Sequence, residues 1–305
     1  MVAETEKAAR KILVTGSNGM LGFDLCRELE RRCAVWGIDL PRRSPGSIRR
    51  DRFLEKDLTD KAATLEAFSR IRPDVVIHAA AWTDVDGCES DPDKAFRINA
   101  EATGNVAAGC RSVNAVLVYL STDYVFDGSK EAPYTEEDAT NPLGVYGDSK
   151  LKGEVAVRDT VRRHIIARTS WLFGAHGRNF VDAIVEHAGA ERRLQVVDDQ
   201  KGSPTYTRDL SVALSILVDT VAASDSGFGT YHISNAGSTS WYDYARLIVS
   251  LKRLPAEVVP IRTVESKRPA ARPKNSVLDN SKFRSFSRHT LRRWEEALKD
   301  YLEIA

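Results

Sequence analysis

Cysteine is scarce. The chain of 305 residues holds four, Cys26, Cys33, Cys88 and Cys110. No two of them form a C-x-x-C pair and none stands at metal-ligand spacing from a histidine, which argues against a zinc module or a disulfide scaffold and suits free thiols in a reducing compartment. Surplus charge is absent too: 44 Lys and Arg balance 43 Asp and Glu, for a net charge of +1. Neither a nucleic-acid groove nor an anionic membrane surface is therefore expected as partner. There is no run of 18 apolar residues, so no spanning helix is expected. The opening MVAETEKAAR has no apolar stretch of the secretory kind, residues 1–10 read as a tail, and a cytoplasmic protein is the expectation. Internal repeats and low-complexity tracts are missing as well.

What the chain does contain is an alternation. Short apolar runs at 11–15, 33–38, 74–79, 115–120, 164–169 and 230–234 are separated by helical patterns near 20–31, 60–70, 92–111, 147–159 and 209–222. Runs that are apolar on both faces and separated by helices mean parallel strands buried on two sides. The expected fold is a doubly wound α/β sheet of the Rossmann kind with a smaller C-terminal substrate-binding region. The expected division assigns 11–175 and 205–239 to the dinucleotide-binding domain, and 176–204 with 240–305 to the substrate-binding domain. Residues 123–145 read as a long functional loop. Residues 252–289 show little periodicity, and 290–305 read as an amphipathic helix with Leu291, Trp294 and Leu298 on one stripe.

After the first strand comes TGSNGMLG, with Gly16, Gly19 and Gly22 spaced G-x-x-G-x-x-G ahead of a helix. Such a turn lets backbone N–H groups and a helix N-terminus approach a pyrophosphate, where a Cβ would block the way. The second strand ends in Asp39, whose carboxylate can accept hydrogen bonds from ribose hydroxyls, but Arg42 and Arg43 follow and would attract a 2′-phosphate. NADH and NADPH both remain open. Asp57 and Leu58 are placed to flank an adenine, and Ala79, Ala80 and Ala81 let the backbone pass close to a dinucleotide. The candidate cofactor-binding set is completed by Asn18, Met20, Leu21, Thr83, Tyr146 and Lys150.

A second constellation lies further on. The fourth apolar run leads into STDYVFDG, placing Thr122 at the carboxyl edge of the sheet, and YGDSK puts Tyr146 and Lys150 one helical turn apart on one face. A phenol with a pKa near 10 is a weak acid at neutrality, and an ammonium beside it would lower that value. Thr122 would orient a carbonyl oxygen, Tyr146 would give it a proton, and a nicotinamide would supply hydride.

These residues resemble the extended short-chain dehydrogenase/reductases, and within them the dTDP-4-dehydrorhamnose reductase family. The resemblance runs from about 11 to 300 and is carried by TGSNGMLG, HAAAWTDVDGCE, STDYVFDG, YGDSKLKGE, RTSWLFG, DDQKGSPTYTRDL and ARPKNSVLDNSKF. It implies a Thr122/Tyr146/Lys150 catalytic set, NADPH or NADH, and a dTDP-sugar substrate whose C4 ketone is reduced to give dTDP-L-rhamnose. By the same resemblance Asp123 and Trp171 face the sugar, and Asn179 and Arg272 contact the nucleotide diphosphate. In some relatives a metal bridges acidic residues at a dimer interface. Here Asp24 stands where such a relative carries Glu, no full ligand set for Mg2+ can be assembled, and monomer and homodimer both stay open. A dehydratase would need a second carboxylate after the Thr, where this chain has Tyr124. Two alternatives stand beside the reductase: an epimerase or reductase of another nucleotide 4-ketosugar, and a non-catalytic protein resembling the regulatory β subunit of methionine adenosyltransferase.

Overall fold

The structure, a computed structural model, describes residues 10–41 and 48–304, with the Ile304 side chain excepted. Arg42, Arg43 and nearly all of the expected N-terminal tail fall outside the described residues. Strands β1 (Lys11–Thr15), β2 (Ala34–Asp39), β3 (Phe53–Glu55), β4 (Val75–His78), β5 (Val116–Thr122) and β6 (His164–Thr169) join an edge strand, Gly229–His232, in a sheet of seven. Every pairing in it is parallel, and the order is β3-β2-β1-β4-β5-β6 followed by the edge strand. The order reverses between β1 and β4, and a ligand crevice is expected outside the carboxyl ends at that point.

Alternation along each strand feeds two cores. Ile12 and Val14 of β1, with Val116, Val118 and Leu120 of β5, pack under helices Met20–Leu29 and Thr207–Ser224. Leu13, Leu117 and Tyr119 face the opposite way, toward helices Lys61–Ile71, Ala102–Val113 and Val145–Thr160. The sheet is thus covered on both faces, as its apolar runs require.

The expected helix over 92–111 differs in detail. Pro92–Phe96 is α-helical, Arg97–Glu101 forms a π-helical segment, and Ala102–Val113 continues as α-helix. The wide turn brings Asn99 inward, where its amide clasps the Trp82 backbone (N–H to Oδ1 2.8 Å, Nδ2 to O 3.0 Å) and donates to Ser149 Oγ at 3.0 Å. A third core holds Phe173, Val181, Ile184, Tyr206, Tyr244, Ile248, Trp294 and Leu298. It is built from helices Phe180–Ala190, Trp241–Leu251 and Trp294–Ile304 and the parallel pair Arg193–Val197 with Glu257–Ile261. Residues 252–289, which read as irregular, therefore contain a strand and also the helix Ser281–Ser287. Among the described residues no helix is long and apolar enough to cross a membrane.

Candidate active site

The Gly-rich loop is shaped by contacts that leave no room for side chains. Gly16 has φ +69°, and a Cβ on it would stand 2.6 Å from Ala80 N; one on Gly22 would stand 2.0 Å from Gly16 O. The loop also runs against Asp39. That carboxylate accepts the Asn18 N–H at Oδ2 and the Leu40 N–H at Oδ1, both at 2.8 Å. Beside it opens a cavity of about 460 Å³ at the carboxyl edge of β1, β2 and β4. Eight of the expected cofactor residues line it: Gly16, Gly19, Asp39, Asp57, Leu58, Ala79, Ala80 and Ala81. Met20 and Leu21 open the following helix, and Thr83 is exposed outside the lining. A cradle that a Cβ would fill, a helix N-terminus and a long apolar cleft together fit a dinucleotide.

The expected catalytic residues converge at the next strand end. Thr122 closes β5 and is buried; its Oγ1 accepts the Tyr124 N–H at 3.2 Å and donates to Asp123 Oδ1 at 3.1 Å. Tyr146, in the first turn of helix Val145–Thr160, has its phenol beside Thr122, and its ring meets Tyr124 edge-on with centroids 5.6 Å apart. The entry of that helix is fixed by Glu89, whose Oε1 accepts the Val145 N–H at 2.7 Å. Lys150 lies one turn on, 3% exposed, its Nζ 4.2 Å from the centre of the Tyr119 ring.

The electrostatics differ from the expectation that Lys150 makes Tyr146 more acidic. Burial pushes the Tyr146 phenol above its ordinary value, opposed by the Thr122 hydroxyl and reinforced by Asp123, Tyr124 and Cys88. Lys150 is itself depressed to about 7 by burial, with Glu154 pulling the other way. Desolvation favours the neutral form of each group, and the Lys150 cation is engaged by the π face of Tyr119. Tyr146 is consequently held fully protonated rather than half ionised. Asp123, 1% exposed, is raised to about 7 by burial, against the nearby Ser276 hydroxyl and the Thr122 hydrogen bond.

The residues expected at the sugar nucleotide are placed unevenly. Asp123 adjoins the catalytic set. Trp171 follows β6 with φ +46°, a strained backbone for a bulky residue. Its ring is stacked on Trp241 at 3.5 Å with 8° between planes, and a Cβ on Gly202 would stand 2.3 Å from its Cε2. Trp241 covers one face of the Trp171 ring, and Gly202 lies against its Nε1–Cε2 side. Asn179 is turned inward as the cap of helix Phe180–Ala190, accepting the Asp182 N–H at 3.1 Å and donating to Gly174 O at 2.9 Å. Arg272 is tied to Asp86 Oδ2 at 2.9 Å, a carboxylate it shares with Arg268 at 3.0 Å. Sequence reading passed over Asn99, Asp86, Glu154, Arg168 and Trp241. Only Glu154 carried a usable signal, because it falls one further turn along the face that bears Tyr146 and Lys150.

Among the described residues no cluster of three His, Cys, Asp or Glu could hold a metal ion. Asp24 instead accepts the Thr207 hydroxyl at 2.5 Å.

Fold and site together define an α/β oxidoreductase of the short-chain dehydrogenase/reductase class. More narrowly, the chain belongs to the family described as the RmlD substrate binding domain, whose model matches residues 10–305. It is 41% identical over 290 residues to dTDP-4-dehydrorhamnose reductase of Streptomyces griseus, an alignment covering 94% of this chain and 91% of that one. It is 37% identical over 293 residues to a Streptomyces antibioticus protein named "Probable dTDP-4,6-dihydroxy-2-methyloxan-3-one 4-ketoreductase", covering 94% and 93%. A crystal structure of dTDP-4-dehydrorhamnose reductase from Bacillus anthracis in complex with NADP superposes with a TM-score of 0.88 at 36% identity, covering 97% of this chain and all of that one.

Proposed function

We propose that the protein reduces the C4 ketone of dTDP-4-dehydro-6-deoxy-L-mannose to dTDP-L-rhamnose with NADPH or NADH, in the cytoplasm. The observation that carries the reading is the buried Thr122–Tyr146 pair at the carboxyl edge of the sheet, with Lys150 one turn beyond. The nicotinamide, when bound, supplies the hydride. Gly16, Asn18, Gly19, Met20 and Leu21 hold the pyrophosphate end, Asp39 takes the ribose, Asp57 and Leu58 flank the adenine, and Ala79, Ala80, Ala81 and Thr83 border the remaining path.

Thr122 hydrogen-bonds the ketone oxygen and holds it against Tyr146. The Tyr146 O–H gives its proton to that oxygen as it gains negative charge. A phenol held neutral by burial is suited to this direction, because an alkoxide is the stronger base and draws the proton across. Lys150 holds the nicotinamide ribose, and its charge stabilises the phenolate that Tyr146 leaves behind. Asp123 and Trp171 face the sugar. Arg272 and Arg268 share one carboxylate, which leaves positive charge for the diphosphate. Asn179 shapes the adjoining helix. In this reading 176–204 and 240–305 form the substrate half and 11–175 with 205–239 the cofactor half.

The test is oxidation of NADPH or NADH by purified protein with enzymatically prepared dTDP-4-keto-L-sugar. Steady turnover is expected, and Tyr146→Phe should lose about a hundred- to ten-thousand-fold in kcat. Normal turnover by that variant would remove Tyr146 as proton donor. A second substrate is favoured by the resemblance to the S. antibioticus ketoreductase. The ratio of kcat/KM on the two dTDP-4-ketosugars decides between them.

A further inference from the structure

Behind the catalytic helix lies a buried charge cluster that the reaction described above does not use. Glu154, whose side chain is 0% exposed, accepts the Ser121 hydroxyl at Oε1 (2.6 Å). It also receives Arg168 at both oxygens, Nε to Oε1 at 2.9 Å and Nη2 to Oε2 at 2.8 Å. Arg158, at the rim, donates to Oε2 as well. The Arg168 side chain is 3% exposed and lies over the Phe126 ring. Ser121 immediately precedes Thr122 on β5, and Lys150 stands one turn before Glu154 on the same helix face. Removing a bidentate ion pair from water is expensive, and hydrophobic side chains of similar volume would serve packing as well or better.

We propose that Glu154 is a positioning residue of the reaction: clamped by Arg168 and Ser121, it is the buried counter-ion of Lys150 and locks the catalytic helix to the strand that carries Thr122. The proposal rests on the reduction inferred above. The groups facing Lys150 from other elements do not replace it. From β4, His78 is held neutral by burial, its two ring nitrogens engaged by Thr15 at 2.6 Å and Thr103 at 3.0 Å. From β5, burial keeps the Tyr119 phenol un-ionised, and its hydroxyl donates to Lys150 O at 3.2 Å. Asn99 and Ser149 are neutral. Tyr146, on the same helix, is un-ionised too, and Arg168 on β6 is turned to Glu154. Among the described residues Glu154 is thus the one charge acting to keep the amine protonated.

The sign of the pH effect follows. Lys150 works as an ammonium, so activity is present below its pKa and lost as pH rises through it. Removing a carboxylate one turn away lowers that pKa by about one to two units at an effective dielectric near 20. Glu154→Gln should therefore move the alkaline limb of kcat down by about that much, a loss of tenfold or more above both limbs. Glu154→Asp keeps the charge and should keep the limb, whatever happens to its melting temperature. Should Glu154→Gln fail to fold, Arg168→Met leaves the carboxylate in place with Arg158 still donating to it and removes the competing cation, so the limb should move up instead. A wild-type limb in a folded Glu154→Gln, or no upward shift in Arg168→Met, overturns the proposal and leaves the pair a staple. Titration of the Lys150 amine by 15N NMR gives an arm that does not need substrate. If the wild type turns over no dTDP-4-ketosugar, the reduction reading fails. The amine titrating lower in the variant than in wild type still upholds the Glu154–Lys150 coupling, and unchanged titration refutes it.

Discussion

Where β1 and β4 end side by side, the glycine loop and the alanine run next to it present backbone to the cleft. Gly16, Gly22 and Ala79 to Ala81 contribute little beyond N–H groups and the absence of bulk, and a Cβ on Gly22 would stand 2.0 Å from Gly16 O. The lobe opposite is made of side chains: Trp171 lies flat on Trp241, Phe180 tilts against Trp241 with centroids 4.4 Å apart, and Tyr244 and Phe173 lie beneath. A surface of backbone fits a ligand whose shape does not vary, such as a pyrophosphate. A surface of side chains can be re-cut to fit a different sugar on the same scaffold. Relatives named for different ketosugars are matched along nearly the whole chain, in keeping with a fixed cofactor edge and an adjustable lobe.

The sharpest way to break this contrast is to add one methyl group on the backbone side. Gly22→Ala has nowhere to put its Cβ except into the Gly16 carbonyl, and backbone on both sides cannot yield cheaply. Reduced-nicotinamide affinity, measured by fluorescence titration of protein shown folded by circular dichroism, should fall at least about a hundredfold, roughly 2.8 kcal/mol. Binding at wild-type strength would mean that the loop is not cut to its ligand by the glycine spacing.

The same contrast explains what could be read in advance. The sheet was legible because apolar runs of five or six residues admit few alternatives, and the loop was legible because only glycine tolerates its geometry. That Tyr146 and Lys150 share one helix was legible by spacing, and that Thr122 ends a strand was legible from the apolar run before it. The lobe was not, since its helix Trp241–Leu251 and strand Glu257–Ile261 are defined by partners far away in the chain: Arg193 faces Glu257 in register. Trp171 shows the limit. Its identity suggested a sugar platform, but whether a face is open depends on Trp241 and Gly202, neither adjacent in sequence. The Tyr146–Lys150 pair shows a second limit: spacing brings two groups near each other, but burial decides which way each one shifts.

A middle-sized effect is expected from the lobe. Trp241→Ala removes the stacked partner of Trp171 and should lower stability by roughly 1–3 kcal/mol, read as the midpoint of urea unfolding. If the two walls are independent, KM for the ketosugar rises several-fold while cofactor affinity is unchanged, because distant sites without shared partners act additively. A parallel fall in cofactor affinity would show that the walls are coupled and sink the division drawn above.

The smallest effect separates a glycine that matters from one that does not within a single helix. Gly104 and Gly109 both lie in Ala102–Val113. A Cβ on Gly104 would meet nothing within 4 Å, whereas one on Gly109 would stand 2.7 Å from the Phe68 ring. Phe68 is fully buried against Ile71 and Ala107, so it has no room to move aside. Gly104→Ala should therefore stabilise by about 0.5–1 kcal/mol, the ordinary helix preference for alanine. Gly109→Ala should destabilise, since overpacking of a filled core outweighs that preference. Both are read from the urea midpoint at unchanged slope. Opposite signs would show that close approach, rather than glycine itself, shapes this face of the sheet as it shapes the cofactor loop. A stabilised Gly109→Ala would show that packing beneath the helix is looser than at the phosphate edge.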